Sequence, residues 1–149
     1  MRFMMLMIPK VYQGRGAAKA GAGFAPSAEA VQRMTKYNEE LAKAGALIAL
    51  DGLQPPATAA RVSFSRGQTV VRDGPFTESK EVLGGYWLIQ AASLEEAVAW
   101  ARRAPAEEGD VIEVRQVFEN EDFPAEVRKA AENPVVRAQV ERQKAGLRS

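Results

Sequence analysis

Hydrophobic side chains recur along the chain in short blocks whose spacing alternates between that of a strand and that of a helix. Residues 2–8 (RFMMLMI) are apolar at almost every position, which is typical of a strand covered on both faces. In residues 27–45 apolar side chains return every three or four positions, which predicts a helix that Ser27 caps and Gly45 ends. A short strand over residues 46–50 is expected next.

The second half of the chain repeats this order after a pair of turns. Arg66-Gly67 joins two alternating segments and predicts a β-hairpin, and Asp73-Gly74-Pro75 forms a second turn. Ser93 and Glu96 form a capping box that opens a second helix, which Pro105 stops. The predicted hairpin, third strand, second helix and last strand cover residues 61–72, 82–91, 94–104 and 111–118.

The order of these elements predicts an α+β fold, the ferredoxin-like βαββαβ arrangement with an extra hairpin. Its helices cover one sheet face, yet residues 3, 5 and 7 and residues 4, 6 and 8 are both apolar sets. In a chain of 149 residues a second copy of the same sheet is the expected cover, so a homodimer is predicted. We place this domain at residues 1–120 and a C-terminal helical extension at residues 121–149.

A segment rich in glycine and alanine separates the first strand from the first helix. It covers residues 11–26 and includes QGRGAAKAGAGF. Two interpretations stay open, because loops of this length are either inert insertions or lids beside a site.

The charge balance and two missing residue types narrow the classes of function. Basic and acidic residues number 20 and 19, which argues against a nucleic-acid binder and against a polybasic membrane anchor. The chain lacks cysteine, which excludes disulfides and thiolate chemistry, and it lacks histidine, the commonest general base near neutral pH. No cofactor and no metal site are predicted. Because no apolar run reaches membrane-spanning length, a soluble cytoplasmic protein is expected.

The segment RDGPFTESKEVLGGYW, residues 72–87, concentrates the candidate chemistry. Asp73 is either an Asx-turn residue or a functional group, namely a general base or an anchor for a polar ligand. Lys80 is a candidate group for steadying developing negative charge. Glu78, Lys80 and Glu81 form either a solvated loop with local salt bridges or, for Lys80 and Glu81, the edge of a pocket mouth.

Further residues on the predicted strands are candidates for the walls of a site. Tyr86 and Trp87 point to opposite faces, so one belongs to the core beneath a helix and the other to the barrel side. Glu113 and Arg115 share one face of the last strand and form either a surface ion pair or a charged pocket wall. The glycines Gly84-Gly85 mark either a β-bulge or the close approach of a ligand or a partner backbone.

The same segment carries a resemblance to a known family. Asp73-Gly74-Pro75-Phe76 and Gly84-Gly85-Tyr86-Trp87 resemble the signature of the YCII-related family and, within it, the DGPF-motif branch. Other motifs agree in the same order over about residues 1–120, namely YNEEL at 37–41, GLQP at 52–55, SLEEA at 93–97 and VIEVR at 111–115.

This resemblance implies a dimeric α/β barrel in which two ferredoxin-like sheets pack face to face. In the wider family a His–Asp pair is the proposed acid–base centre, and some members remove chloride from chlorinated hydroxyquinols. Because this chain has no histidine, that pair is not carried over. The branch is also often linked to extracytoplasmic-function sigma factors.

Two hypotheses of different classes follow. In the first, a homodimer binds a small polar or aromatic molecule and acts as a cofactor-independent lyase or isomerase, with Asp73 and Lys80 as catalytic residues. The expected binding residues are Arg72, Glu78, Glu81, Tyr86, Trp87, Glu113 and Arg115. In the second, the protein is a non-catalytic regulatory or interaction module associated with a sigma-factor system. Neither a nucleic acid nor a membrane is an expected partner.

Overall fold

The computed structural model describes residues 1–14, 20–76 and 81–146, and the chain divides into two compact units, Met1–Val117 and Phe118–Ser149. The first unit contains a four-stranded antiparallel sheet of β1 (Arg2–Ile8), β2 (Leu47–Gly52), β5 (Gly85–Gln90) and β6 (Val111–Gln116). The strand order is β2-β5-β1-β6. With one helix after β1 and another after β5, this is the ferredoxin-like arrangement, and the predicted α+β fold is confirmed.

Two helices, α1 (Ala28–Lys43) and α2 (Leu94–Ala101), pack on one face of the sheet. Both begin where the sequence predicts, because each has a serine at its N-cap. Ser27 Oγ accepts a hydrogen bond from Ala30 N at 3.2 Å, and Ser93 Oγ accepts one from Glu96 N at 3.1 Å. The second helix ends earlier than predicted, since residues 103 and 104 donate to carbonyls three residues back instead of four.

The core lies between this sheet face and the two helices. Its largest fully buried side chains are Phe3, Met5, Leu41 and Ile89. Two aromatic residues with polar groups also lie there, and both find hydrogen-bond partners. The Tyr37 hydroxyl donates to the Trp100 carbonyl at 2.7 Å, and Trp87 Nε1 donates to Asn38 Oδ1 at 2.8 Å. The buried face is therefore complete within one chain.

The third strand of the sheet begins at Gly85, three residues later than the pattern predicts. Val82 makes no ladder with a neighbouring strand, because the side-chain amide of Gln13 takes its place. Gln13 Nε2 donates to the Val82 carbonyl at 2.9 Å, and Val82 N donates to Gln13 Oε1 at 2.9 Å. A side chain therefore supplies here the pair of hydrogen bonds that a strand would otherwise make.

A separate hairpin of β3 (Ala60–Ser65) and β4 (Gln68–Asp73) is inserted between β2 and β5. Its turn has positive φ at both Arg66 (50°) and Gly67 (74°), the backbone that a two-residue hairpin turn favours. The predicted hairpin is therefore confirmed. Every residue of its two strands is exposed, including Phe64, which retains 81% of its accessible surface.

The second unit contains α3 (Ala125–Ala131) and α4 (Pro134–Gly146). Asn133 caps α4, since its Oδ1 accepts hydrogen bonds from Val135 N and Val136 N at 3.1 Å. No helix in the described ranges is both long enough and apolar enough to cross a membrane.

Candidate functional site

A cleft of about 590 Å³ opens at the edge of the sheet where β1 and β2 end and β5 and β6 begin. The first half of α1 also lines it, together with the segment that follows β2. Its size falls within the range of sites for small organic molecules, roughly 300–1,000 Å³. Its apolar lining includes Met7, Val11, Phe24, Val31, Met34 and Leu53.

The close approach of chain segments at Gly84 shapes the base of the cleft. Gly84 N donates to the Met7 carbonyl at 2.8 Å, and the Gly84 carbonyl accepts from Leu53 N at 2.9 Å. A side chain at this position would collide with the ring of Pro9, and one at Gly85 would crowd the carbonyl of Asp51. The double glycine therefore accommodates other parts of the same chain, a role that neither alternative drawn from the sequence includes.

Tyr12 forms the inner wall beside this glycine. Its hydroxyl donates to the Leu53 carbonyl at 3.2 Å, and its ring meets Phe24 edge to face with centroids 5.8 Å apart. Burial raises the pKa of the Tyr12 phenol above its ordinary value. Tyr12 is therefore a neutral group that joins the loop after β1 to the segment after β2.

The charged residues of the cleft lie on α1 and on the segment between α2 and β6. Arg33 Nη2 contacts Glu107 Oε1 at 3.0 Å, and both side chains are more than half exposed. The Asp110 carboxylate is occupied differently, since its oxygens accept from Lys10 N and Glu107 N, each at 2.8 Å. Asp110 therefore fixes the backbone at the mouth, whereas Arg33 and Glu107 are tied to each other.

The side chains that line this cleft are suited mainly to binding a ligand. The Asp110 carboxylate and the Tyr12 hydroxyl already hold its walls together, and Asn38 accepts its hydrogen bond from the buried Trp87. Across the described parts of the chain, no three acidic side chains converge as a cation site. Apolar walls with few polar groups at the mouth suit a compact organic molecule.

The predicted catalytic segment, residues 72–87, begins at the end of the hairpin. Arg72 and Asp73 are exposed at the end of β4, where they stand opposite Arg61 and Ala60. The other predicted catalytic residue, Lys80, and the predicted binding residue Glu78 lie outside the described residues. Neither Arg72 nor Asp73 is among the residues that line the cleft.

The two adjacent aromatics of the motif separate as their alternation requires. Trp87 is buried under α1, where its ring meets Tyr37 edge to face at 5.8 Å. Tyr86 lies on the face of the sheet opposite α1 and α2, and its hydroxyl donates to Asp51 Oδ2 at 2.6 Å. This hydrogen bond, more than burial, raises the pKa of Tyr86.

The remaining predicted residues are solvent-facing. Ile112 and Val114 pack against the core, so Glu113 and Arg115 lie on the opposite face of β6, with 3.5 Å between Arg115 Nη1 and Glu113 Oε2. Glu81 is exposed just before the backbone that Gln13 holds. None of these three residues lines the cleft.

The residues of the cleft that sequence reasoning missed include Tyr12, Phe24, Arg33 and Glu107. One local signal was present, because strand-breaking residues follow both β1 (Pro9) and β2 (residues 53–56). Both strands pair antiparallel with β5, so they run in the same direction and these breaks meet at one edge of the sheet. That meeting requires the strand order, which the local pattern does not contain.

Comparison with known proteins assigns the family. Residues 1–121 match the YCII-related domain. The chain belongs to the YCII-related domain family. The resemblance stated from its motifs is therefore confirmed at the level of this family, while membership of the DGPF branch stays a prediction. Over 73 residues this YCII-related chain is 49% identical to an uncharacterised protein of Rhizobium meliloti (strain 1021), a stretch covering 49% of the chain and 54% of that protein. The match thus spans about half of the relative's length.

Proposed function

We propose that the protein is a cytoplasmic homodimer that binds a small, largely apolar organic molecule in the cleft beside α1. The observation that carries the proposal is the cavity of about 590 Å³ with apolar walls at the ends of β1 and β2. A cavity of this size and polarity removes most of a small ligand's surface from water, which is the main source of its affinity.

Binding without acid–base catalysis has the stronger support. A general base must be free to approach its substrate, whereas two backbone hydrogen bonds hold the Asp110 carboxylate in the wall of the cleft. Glu107 is paired with Arg33 at the exposed mouth. The lyase or isomerase hypothesis instead relies on Asp73, which lies outside this lining, and on Lys80. The link to a sigma-factor system rests on the resemblance alone and stays a prediction.

Homodimer formation is supported by the face of the sheet opposite α1 and α2, here called the open face. Met4, Leu6, Tyr86 and Leu88 stand on it in adjacent rows of β1 and β5 and are only partly buried within one chain. A second copy placed face to face would cover this apolar surface with an equivalent one, since a two-fold interface uses the same patch twice. The occupant proposed for the open face is therefore another molecule of this chain.

Titration with the neutral fluorescent compound phenylnaphthylamine tests the cleft directly. Val31 lines the cleft on α1 and is 47% exposed, so Val31→Trp should fill the cavity without disturbing the core. We expect wild-type protein to bind the compound and Val31→Trp to lose that binding by at least about tenfold. Gln32→Trp is the matched control, because Gln32 is the exposed neighbour outside the lining. Equal affinity in wild type and Val31→Trp would refute the cleft as the binding site.

A further inference from the structure

The mouth of the cleft combines an apolar interior with a single cation. Arg33 is the one positively charged side chain among the described residues that line it. It projects from α1, a rigid element anchored in the core by Tyr37 and Leu41 on the next turns. A guanidinium carries five N–H donors in a planar fork that matches the shape of a carboxylate. Its position is therefore fixed while its hydrogen-bonding capacity is large.

Within the described parts of the chain, Glu107 is the acceptor for that guanidinium, through a contact of 3.0 Å. The two side chains are 55% and 74% exposed, and ion pairs that solvent reaches this easily add little stability. More than half of the Arg33 side-chain surface is therefore open to water. A ligand anion can use these donors, and it can displace the Glu107 carboxylate at small cost.

The backbone beneath Glu107 stays in place when its side chain leaves. Glu107 N donates to Asp110 Oδ2, and the other oxygen of Asp110 accepts from Lys10 N. These two hydrogen bonds tie the segment before β6 to the end of β1 independently of Arg33. The Glu107 side chain can therefore turn into solvent without opening the wall of the cleft.

We propose that the cleft selects ring-bearing apolar molecules that carry one anionic group, with Arg33 as the receptor of the anion and Glu107 as its built-in competitor. The proposal rests on the proposed binding function of the cleft and adds the chemical class of the ligand. Phe24 and Tyr12 present aromatic rings to the interior, and Arg33 stands at the mouth. A molecule with a hydrophobic ring at one end and a carboxylate or sulfonate at the other matches both regions.

Two fluorescent compounds with the same ring skeleton separate the two regions. Anilinonaphthalene sulfonate carries an anionic group that phenylnaphthylamine lacks. We expect Arg33→Gln to weaken sulfonate binding about fivefold and to change binding of the neutral compound less than about twofold. Glu107→Gln removes the competitor and should strengthen sulfonate binding about twofold or more, again with little effect on the neutral compound.

Lys36→Gln is the matched control, because it removes one positive charge from the exposed surface of the same helix outside the lining. Its sulfonate affinity should stay at the wild-type value. If Lys36→Gln weakens sulfonate binding as much as Arg33→Gln, a general charge effect replaces the proposed receptor. If Arg33→Gln shifts both compounds equally or neither, or if Glu107→Gln leaves sulfonate affinity unchanged, the proposal is overturned.

Failure of the binding function itself has a different signature. Phenylnaphthylamine would then fail to bind, or its binding would survive Val31→Trp. A second outcome is that Val31→Trp still blocks binding of the neutral compound, while Arg33→Gln changes the affinities of both compounds equally. That outcome would overturn only the assignment of the anionic group. Circular dichroism of each variant confirms the fold, since residues 31, 33, 36 and 107 are all exposed.

Discussion

The two faces of the four-stranded sheet are formed by the same strands, but they differ in how deeply their side chains are buried. On the helix-covered face, Phe3, Met5 and Ile89 retain no more than 1% of their accessible surface. On the open face, Met4, Leu6 and Leu88 are only partly buried, although they alternate with those residues along the same strands. The helix-covered face is complete within one chain, whereas the open face leaves apolar side chains partly exposed in it.

Polar groups differ between the faces in the same way. On the helix-covered face, the Tyr37 hydroxyl and the Trp87 indole each have a half-buried partner at hydrogen-bond distance. On the open face, the Tyr86–Asp51 hydrogen bond and the Glu113–Arg115 ion pair are exposed to solvent. Burial, more than residue type, therefore decides how much a strand residue contributes to the stability of the chain. Substitutions at neighbouring positions should have very unequal effects on the free energy of unfolding.

The largest effect is expected at the centre of the covered face. Phe3→Ala should lower the free energy of unfolding by about 3–5 kcal/mol, because it removes a fully buried ring and leaves a cavity. Met4→Ala, one residue further along on the open face, should cost about 1 kcal/mol or less in the dissociated chain. Urea unfolding at high dilution measures both values. Equal losses of unfolding free energy in the two variants would show that the two faces contribute equally to stability.

A charge on the open face should break association with little effect on the chain itself. Leu6→Glu places a carboxylate beside Glu113, its neighbour on β6, and should weaken dimerisation about a hundredfold or more. Val98→Glu, on the outer side of α2 and 39% exposed, is the control with the same chemical change. Sedimentation velocity should find wild type and Val98→Glu near twice 16.2 kDa and Leu6→Glu near 16.2 kDa. A wild-type monomer at micromolar concentration would refute the dimer.

A moderate effect that depends on pH is expected from Tyr37. Burial raises the pKa of Tyr37 to about 12 from an ordinary 10.0. The unfolded chain loses this proton at lower pH than the folded chain, so stability should be fully present below pH 10 and fall as pH rises toward 12. Tyr37→Phe should flatten that decline and cost about 1–2 kcal/mol at neutral pH through the lost hydrogen bond to Trp100.

Unfolding measured from pH 8 to pH 12 checks this expectation, with Tyr86→Phe as the comparison on the open face, where the raised pKa of Tyr86 contributes in the same direction. The same alkaline decline in Tyr37→Phe and wild type would show that the buried phenol does not govern it.

The smallest effect is expected at Tyr86 itself. The hydrogen bond to Asp51 is the main cause of its raised pKa, so Asp51→Asn should lower that pKa toward 10.0. The pKa of Tyr37, across the sheet, should not move. Spectrophotometric titration of the phenols resolves the two groups. A Tyr86 pKa that does not change in Asp51→Asn would show that burial causes the shift, as it does for Tyr37 on the covered face.

The parts of the fold that could be predicted are those in which neighbouring residues carry the information. The bounds of β1 follow from a continuous apolar run, the start of α1 from Ser27, and the hairpin from Arg66-Gly67. Which of Tyr86 and Trp87 enters the core could not be predicted, because it depends on the register that sets Trp87 opposite Met5.

The candidate site could not be predicted from the sequence for the same reason. Its lining comes from segments between residues 7 and 110 that meet only through the strand order. The motif around Asp73 predicted a site, but the neighbouring Gly74 has a steric role. A side chain at Gly74 would collide with the carbonyl of Pro56. Distinctive local sequence here reports a tight crossing of two chain segments, whereas the cleft is lined by ordinary apolar residues.

The hairpin leaves the sheet and returns to it through two fixed crossings. Gly74 N donates to the Ala59 carbonyl at 2.8 Å, and Leu53 N donates to the Gly84 carbonyl at 2.9 Å. Everything between Ala59 and Gly74 is therefore an excursion whose ends are already joined. Because the entropy of a closed loop grows only slowly with its length, such an excursion can lengthen, shorten or change its surface over evolutionary time while the sheet and cleft are inherited unchanged.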